Sequence, residues 1–101
     1  MPSARQILVV DDEENIRLFL HTMLEKKGYA VRTAASAEQA LSMAADNPID
    51  FVLADVKMPG MSGIDLCREL RTRHPLLTVI MMSAYGSVEL ALEAGAEDVQ
   101  F

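Results

Sequence analysis

The chain has 101 residues, enough for one domain with a single core, and half of them are hydrophobic while 24% are charged. Such a composition excludes a disordered chain. Nine Lys and Arg residues against fifteen Asp and Glu residues give a net charge of −6, which opposes approach to nucleic acid or to an anionic membrane. We therefore expect no direct nucleic acid binding by this domain.

The longest apolar stretches, such as residues 7–10 and 78–82, are far shorter than the roughly 20 residues that cross a bilayer. The first residues lead directly into a strand-like segment and lack the features of a signal peptide. We expect a cytoplasmic location and no membrane contact. The single cysteine, Cys67, excludes a disulfide within the chain, and its place on an amphipathic segment favours a packing role.

Short β-branched apolar runs alternate with longer segments of helical periodicity, which is typical of an α/β fold with a parallel sheet. The apolar runs predict strands at residues 7–10, 30–33, 51–54 and 79–82 and a partial strand at 98–101.

Helical periodicity and capping signals place four helices between these strands. The first carries an apolar face and is expected to end before Gly28, a residue suited to a left-handed cap. The second opens with the capping-box pattern Ser36-Ala-Glu-Gln39 and ends near residues 47–48. Two more helices are predicted at about residues 63–73 and 88–94. The apolar face of the first helix is formed by Ile16, Leu20, Met23 and Leu24.

Three carboxylates are predicted to meet at one edge of the sheet. Asp11 and Asp12 follow the first strand and Asp55 follows the third, and parallel strands present their carboxyl ends along a shared rim. Clustered carboxylates repel one another, so their coexistence at neutral pH favours a hard divalent cation such as Mg²⁺. The alternative is that Asp11 and Asp12 only cap the first helix, where negative charge is favourable.

The loop after Asp55, residues 56–63, contains one Pro and two Gly residues that set tight turns. Beside a metal ion, a carboxylate can act as the nucleophile in phosphoryl transfer and form an aspartyl phosphate. The alternative for Asp55 is an acidic residue that merely starts a turn. Ser83 would place a hydroxyl in the same crevice, able to donate a hydrogen bond to a phosphoryl oxygen.

Taken together, these motifs resemble the receiver domains of bacterial two-component response regulators. The resemblance implies a flavodoxin-like (βα)5 three-layer sandwich with parallel strand order 2-1-3-4-5. It also implies a phosphoacceptor signalling switch that regulates an output such as transcription, and that catalyses at most its own phosphorylation and dephosphorylation. The residues that carry it are Val9-Val-Asp-Asp-Glu13, Asp55-Val-Lys-Met-Pro-Gly-Met-Ser-Gly63, Met82-Ser-Ala-Tyr85 and Gly95-Ala96.

By the same resemblance, a histidine kinase or phosphotransfer protein supplies the phosphoryl group to Asp55. Mg²⁺ would be held by Asp12, Asp55 and the backbone carbonyl of Lys57, with Asp11 assisting largely through water. The expected cofactor is therefore Mg²⁺, and the expected partner is a protein that carries phosphohistidine.

The resemblance also assigns contacts to the phosphoryl group itself. Ser83 would be the switch hydroxyl, and the backbone N–H groups of Lys57 and Ala84 would donate to the phosphate. The stretch that begins at Ser83 is similar to receivers attached to enhancer-binding transcriptional activators. Met58 and Met61 lie in the loop beside Asp55, where exposure for kinase docking is an open interpretation.

The sequence departs from the family pattern toward its end. The family lysine at the end of strand five is absent and is expected just beyond Phe101, so residues 1–101 are interpreted as a receiver lacking its fifth helix. The fourth helix is about one turn short, and Val99 stands where the family carries a switch aromatic. Uncovered apolar surface would then favour a homodimer or an exchange of elements with a second copy.

These departures leave two alternative functions open. One is a degenerate or truncated receiver that acts only as a binding or dimerisation module. The other is a small Mg²⁺-dependent aspartyl phosphohydrolase, which is disfavoured because its usual pair of aspartates two residues apart is replaced by Asp11-Asp12-Glu13.

Overall fold

The computed structural model describes residues 4–82 and the backbone of residues 98–100. Each predicted strand is present, with ends within one residue of the prediction, and the predicted fourth helix lies outside the described residues. The elements in chain order are β1 (Gln6–Val10), α1 (Glu14–Lys26), β2 (Ala30–Ala34), α2 (Ala37–Asp46), β3 (Phe51–Asp55), α3 (Gly63–Arg73), β4 (Thr78–Met82) and β5 (Asp98–Gln100).

The strands form one parallel sheet in the order β2-β1-β3-β4-β5, which confirms the order that the resemblance implied. The register places Val10 opposite both Ala34 and Ala54, and Asp55 opposite Met82. Because β1, β3 and β4 therefore end at nearly the same level, the residues that follow them share one rim of the sheet.

Helices cover both faces of the sheet, as expected for a three-layer sandwich. Side chains alternate between the faces along each strand, so Leu8 and Val10 join the larger core cluster while Ile7 and Val9 join the smaller one. The larger cluster includes residues of α2 and α3, and the smaller one is covered by Leu24 of α1.

Helices α2 and α3 pack on the sheet with different side chains. Helix α2 buries Ala37, Ala40 and Ala44, whose small side chains allow a close approach to the strands. Helix α3 buries Leu66 and Leu70 completely, each contributing about 1.5–3 kcal/mol of hydrophobic stabilisation. On α3, Cys67 is likewise fully buried, as its predicted packing role requires.

The predicted helix boundaries have clear local causes. Helix α1 ends at Lys26, and Gly28 follows in the left-handed region with φ +96°, as predicted. The Ser36 hydroxyl accepts the Gln39 N–H at 3.1 Å. The Gln39 side chain in turn accepts the N–H of Ala35 at 2.7 Å, one residue before the expected partner in a capping box.

The outer side of α1 carries large apolar side chains in contact with solvent. Leu18 and Phe19 are 58% and 64% exposed, and Ile16, expected on the buried face, is 38% exposed. Among the residues that the structure describes, no helix has the length and apolar character needed to cross a membrane.

The start of α3 lies directly against the end of β3. Gly63 is buried, its N–H donates to the carbonyl of Val56 at 3.0 Å, and an added Cβ would overlap the carbonyl oxygen of Asp55. That Cβ would also lie 2.7 Å from the carbonyl carbon of Asp55, so the contact is with backbone that cannot easily move aside. Glycine is therefore required here by space.

We predict that Gly63→Ala lowers the free energy of unfolding by about 3 kcal/mol or more, the upper range for overpacked sites. The effect opposes helix propensity, which by itself favours Ala over Gly by about 1 kcal/mol. Gly28→Ala is the control, because no atom lies within 4 Å of its added Cβ and only the left-handed backbone costs about 1 kcal/mol. Equal losses in urea denaturation of the two variants would contradict this account.

Candidate functional site

Asp11, Asp12 and Asp55 meet at the rim formed by the ends of β1 and β3. One carboxylate oxygen from each residue lies within 4.8 Å of the others. The three residues differ in environment, since Asp11 is buried, Asp55 is half-buried and Asp12 is exposed. The convergence predicted from the strand ends is therefore present.

Asp11 is fixed at every polar atom of its backbone and through one side-chain oxygen. Its N–H donates to the carbonyl of Ala34 at 3.1 Å, and its Oδ1 accepts the N–H of Glu13 at 2.9 Å. The carbonyl of Asp11 accepts from the Arg17 guanidinium at 2.7 Å. Sequence reasoning did not identify Arg17, because a basic residue in the first turns of a helix carries no distinctive pattern.

Helix capping does not account for the pair Asp11-Asp12. The N-cap residue of α1 is Glu13, and its side chain makes no capping hydrogen bond. The carboxylate of Asp11 does bond to the backbone at the helix entrance, but that of Asp12 is exposed and belongs to the carboxylate cluster. The proximity of both carboxylates to Asp55 therefore favours a cation site over a role in capping alone.

Backbone hydrogen bonds hold the loop that follows Asp55 next to the Asp55 carboxylate. Lys57 donates its N–H to Asp55 Oδ1 at 3.3 Å, while the N–H of Val56 donates to Met82 at 3.0 Å. The Gly63–Val56 hydrogen bond then closes the base of the loop. The Lys57 N–H thus points to the Asp55 carboxylate, while the contacts of Lys57 with Mg²⁺ and phosphate stay predictions.

Met58 corrects one interpretation of this loop. It is only 8% exposed and belongs to the larger core cluster, while Met61 is half-buried against the same cluster. Exposure of Met58 for docking is therefore wrong, because the loop folds back and anchors itself in the core. Ser83 and Ala84, the expected phosphate contacts, follow β4 in the sequence and lie outside the described residues, as does the side chain of Val99.

Burial and mutual repulsion raise the pKa of two of the carboxyls. The pKa of Asp11 is raised above 3.8 mainly by burial, with further contributions from the charges of Asp55, Asp12 and Glu13; the hydrogen bond from Glu13 opposes them. Burial also raises the pKa of Asp55, assisted by the charges of Asp12 and Glu13 and opposed by the N–H groups of Lys57 and Val56. Ionisation of Asp11 and Asp55 therefore lowers the stability of the folded chain.

The chemistry of this donor set fits a hard divalent cation. Carboxylate oxygens suit Mg²⁺, which is commonly bound by one or two carboxylates and several waters. The exposed side chain of Asp12 leaves room for such waters. A cation here would offset the repulsion that, after burial, contributes to the raised pKa of Asp11 and Asp55.

Comparison with known proteins identifies the family. The model of the response regulator receiver domain matches residues 7–100. The chain belongs to this family, whose members are phosphoacceptor signalling domains of two-component systems.

Curated relatives and solved structures agree with this assignment. The chain is 40% identical over 94 residues to regulatory protein AtoC of Escherichia coli, covering 93% of this chain and 20% of AtoC. It is 37% identical over 89 residues to sporulation initiation phosphotransferase F of Bacillus subtilis, covering 88% of this chain and 72% of that protein. The structure of response regulator TrrA from Thermotoga maritima in complex with Mg²⁺-BeF is 36% identical, with a TM-score of 0.88, covering 95% of this chain and 84% of TrrA.

We predict that Asp55→Asn raises the thermal midpoint of the metal-free chain by several degrees at neutral pH. The substitution removes one charge from the cluster, and about 1 kcal/mol shifts the midpoint of a domain this size by about 4–8 °C. Asp50→Asn is the matched control, since Asp50 precedes the other end of β3 and its carboxylate accepts the Gln6 N–H. If scanning calorimetry shows a higher thermal midpoint for Asp50→Asn and not for Asp55→Asn, repulsion within the cluster does not destabilise the fold.

The gain from Asp55→Asn should depend on pH with a definite sign. Because the pKa of Asp55 is raised in the folded state, the folded chain binds the proton more tightly than the unfolded chain. The stability of the wild type relative to Asp55→Asn is therefore lowest when the carboxyl is ionised. It rises as the pH falls through the folded-state pKa toward 3.8. The difference in midpoint between variant and wild type should shrink over that range, and a constant difference would argue against it.

Proposed function

We propose that this chain receives a phosphoryl group on Asp55 with the help of Mg²⁺ and so switches the activity of an attached or associated output. The observation that carries the proposal is the meeting of Asp11, Asp12 and Asp55 at one rim. A turn-starting role for Asp55 alone would not require two further carboxylates beside it.

The residues of the site have separate tasks in this transfer. A carboxylate oxygen of Asp55 forms a bond to phosphorus as the bond to the donor nitrogen of a phosphohistidine breaks, and that nitrogen keeps the electron pair. Mg²⁺ would be held by Asp12, Asp55 and the carbonyl of Lys57, with Asp11 assisting, and it supplies charge neutralisation for the incoming group. The Lys57 N–H, already directed at Asp55, can donate to the phosphoryl group.

The phosphoryl donor is a histidine kinase or a phosphotransfer protein. This assignment is supported by two relatives, regulatory protein AtoC and sporulation initiation phosphotransferase F. The chain covers 20% of the first and 72% of the second. We accordingly propose that the switch controls transcription through an output domain. The similarity to enhancer-binding activators supports this output.

A binding module without phosphoryl transfer is the second candidate. The exposed side chains of Leu18 and Phe19 favour contact with another protein, including a second copy of this chain. Phosphate uptake separates this candidate from the first, because a module that only binds has no need of an acceptor carboxylate.

Phosphorylation by a small donor tests the proposed acceptor. We predict that incubation with acetyl phosphate and Mg²⁺ yields a single phosphate adduct by intact mass spectrometry. Asp55→Asn should abolish the adduct, Asp50→Asn should retain it, and chelation of Mg²⁺ should suppress it in the wild type. A folded, Mg²⁺-binding wild type that gains no adduct would instead favour the binding module.

Stabilisation by Mg²⁺ tests the proposed ligands. At 100 times its dissociation constant, a ligand that binds only the folded state contributes about 2.7 kcal/mol to stability. We predict a Mg²⁺-dependent rise in the thermal midpoint of the wild type that is much smaller in Asp12→Asn and unchanged in Asp50→Asn. The same rise in Asp12→Asn would remove this residue from the ligand set.

A further inference from the structure

A contact between α2 and the loop after β3 lies just outside the carboxylate cluster. Glu38 Oε1, in the first turn of α2, accepts the N–H of Met61 at 3.4 Å. The preceding residue, Gly60, has φ +76°, and a Cβ added to it would lie 3.4 Å from the same oxygen. The loop therefore passes close to Glu38 in a conformation that favours glycine.

The rest of the loop is held at points nearer to β3. Its first half is fixed by the Lys57 N–H on Asp55 and by the burial of Met58 in the core. Its base is closed by the Gly63–Val56 hydrogen bond. The hydrogen bond from Met61 to Glu38 ties the far half of the loop to a different helix.

We propose that Glu38 is a positioning residue for the phosphoacceptor site. By holding the far half of the loop, it restricts the positions open to the backbone of Lys57, whose carbonyl is a proposed Mg²⁺ ligand. The consequence is a higher affinity for Mg²⁺ with no contact between Glu38 and the ion. This inference rests on the proposed function of Asp55 and its metal site.

The charge of Glu38 has a second effect that must be separated from the hydrogen bond. A carboxylate in the first turn of α2 interacts favourably with the helix dipole, so removing it weakens α2 by a route unrelated to the loop. Glu38→Gln keeps a side-chain oxygen that can accept from Met61 and removes the charge. Glu38→Ala removes both, so the two variants distinguish the two effects.

The experiment compares wild type, Glu38→Ala and Glu38→Gln, with Ser42→Ala as a control on the exposed side of α2. Mg²⁺ affinity is measured by calorimetry, hydrogen exchange of the Met61 amide by NMR, and phosphorylation by acetyl phosphate as a function of Mg²⁺ concentration. In Glu38→Ala we expect faster exchange at Met61 and a Mg²⁺ dissociation constant raised about two- to fivefold, the factor that one modest hydrogen bond supplies. Glu38→Gln and Ser42→Ala should resemble the wild type.

The Mg²⁺ dependence separates positioning from general damage. The phosphorylation rate of Glu38→Ala should return to the wild-type value at saturating Mg²⁺, because only the apparent Mg²⁺ constant is altered. An unchanged dissociation constant in Glu38→Ala, or a Glu38→Gln variant as impaired as Glu38→Ala, would overturn the inference. A wild type that binds no Mg²⁺ would overturn the proposed metal site together with it.

Discussion

The close approach of Asp11, Asp12 and Asp55, two of them at least partly buried, is the constraint that the surrounding structure has to satisfy. One carboxylate oxygen from each residue lies within 4.8 Å of the others, and burial together with neighbouring charge raises the pKa of Asp11 and Asp55. In a flexible chain such groups would separate, so the fold must hold them. Packing in the core must therefore offset the destabilisation that the carboxylates cause at the rim.

The sheet supplies that support directly. The residues before the carboxylates, Val9, Val10 and Ala54, are fully buried between neighbouring strands or beneath helices. Their register sets the levels at which β1 and β3 end, and thereby the separation of the carboxylates. The register of the sheet therefore determines the positions of the carboxylates more than the loops do.

The loop after Asp55 belongs to the core as much as to the surface. Met58 is packed within the larger cluster, and Gly63 brings α3 against the backbone of Asp55. A change in position around Asp55 therefore has short mechanical connections to α3 through Gly63 and, through Met61, to α2. Such connections suit a switch, because close-packed interiors have low compressibility and transmit strain between the elements that they join.

Much of the fold and the meeting of the carboxylates could be predicted from the sequence. Strands such as residues 7–10 are short runs rich in β-branched residues, and the capping signal at Ser36 and the left-handed Gly28 are local features with local causes. Once the strands are known to be parallel, the placement of Asp11 and Asp55 at one rim follows from topology alone.

What could not be predicted depends on distant contacts. Met58 follows a strand end and precedes Pro59, a pattern typical of an exposed turn, and only the folded loop shows its side chain entering the core. A Cβ added to Gly63 would overlap the backbone of Asp55, which is 8 positions away. The hydrogen bond between Met61 and Glu38 joins residues that are 23 positions apart. No periodic pattern marks such pairs.

The most direct test of a shared divalent site is to locate the ion. Crystals of the chain soaked with Mn²⁺, an anomalous scatterer that takes similar oxygen ligands, should show one anomalous peak within bonding distance of Asp12, Asp55 and the Lys57 carbonyl. We predict that this peak disappears in Asp12→Asn crystals treated identically. A peak bound elsewhere, or none at the rim at saturating Mn²⁺, would contradict the claim that these carboxylates exist together to hold a cation.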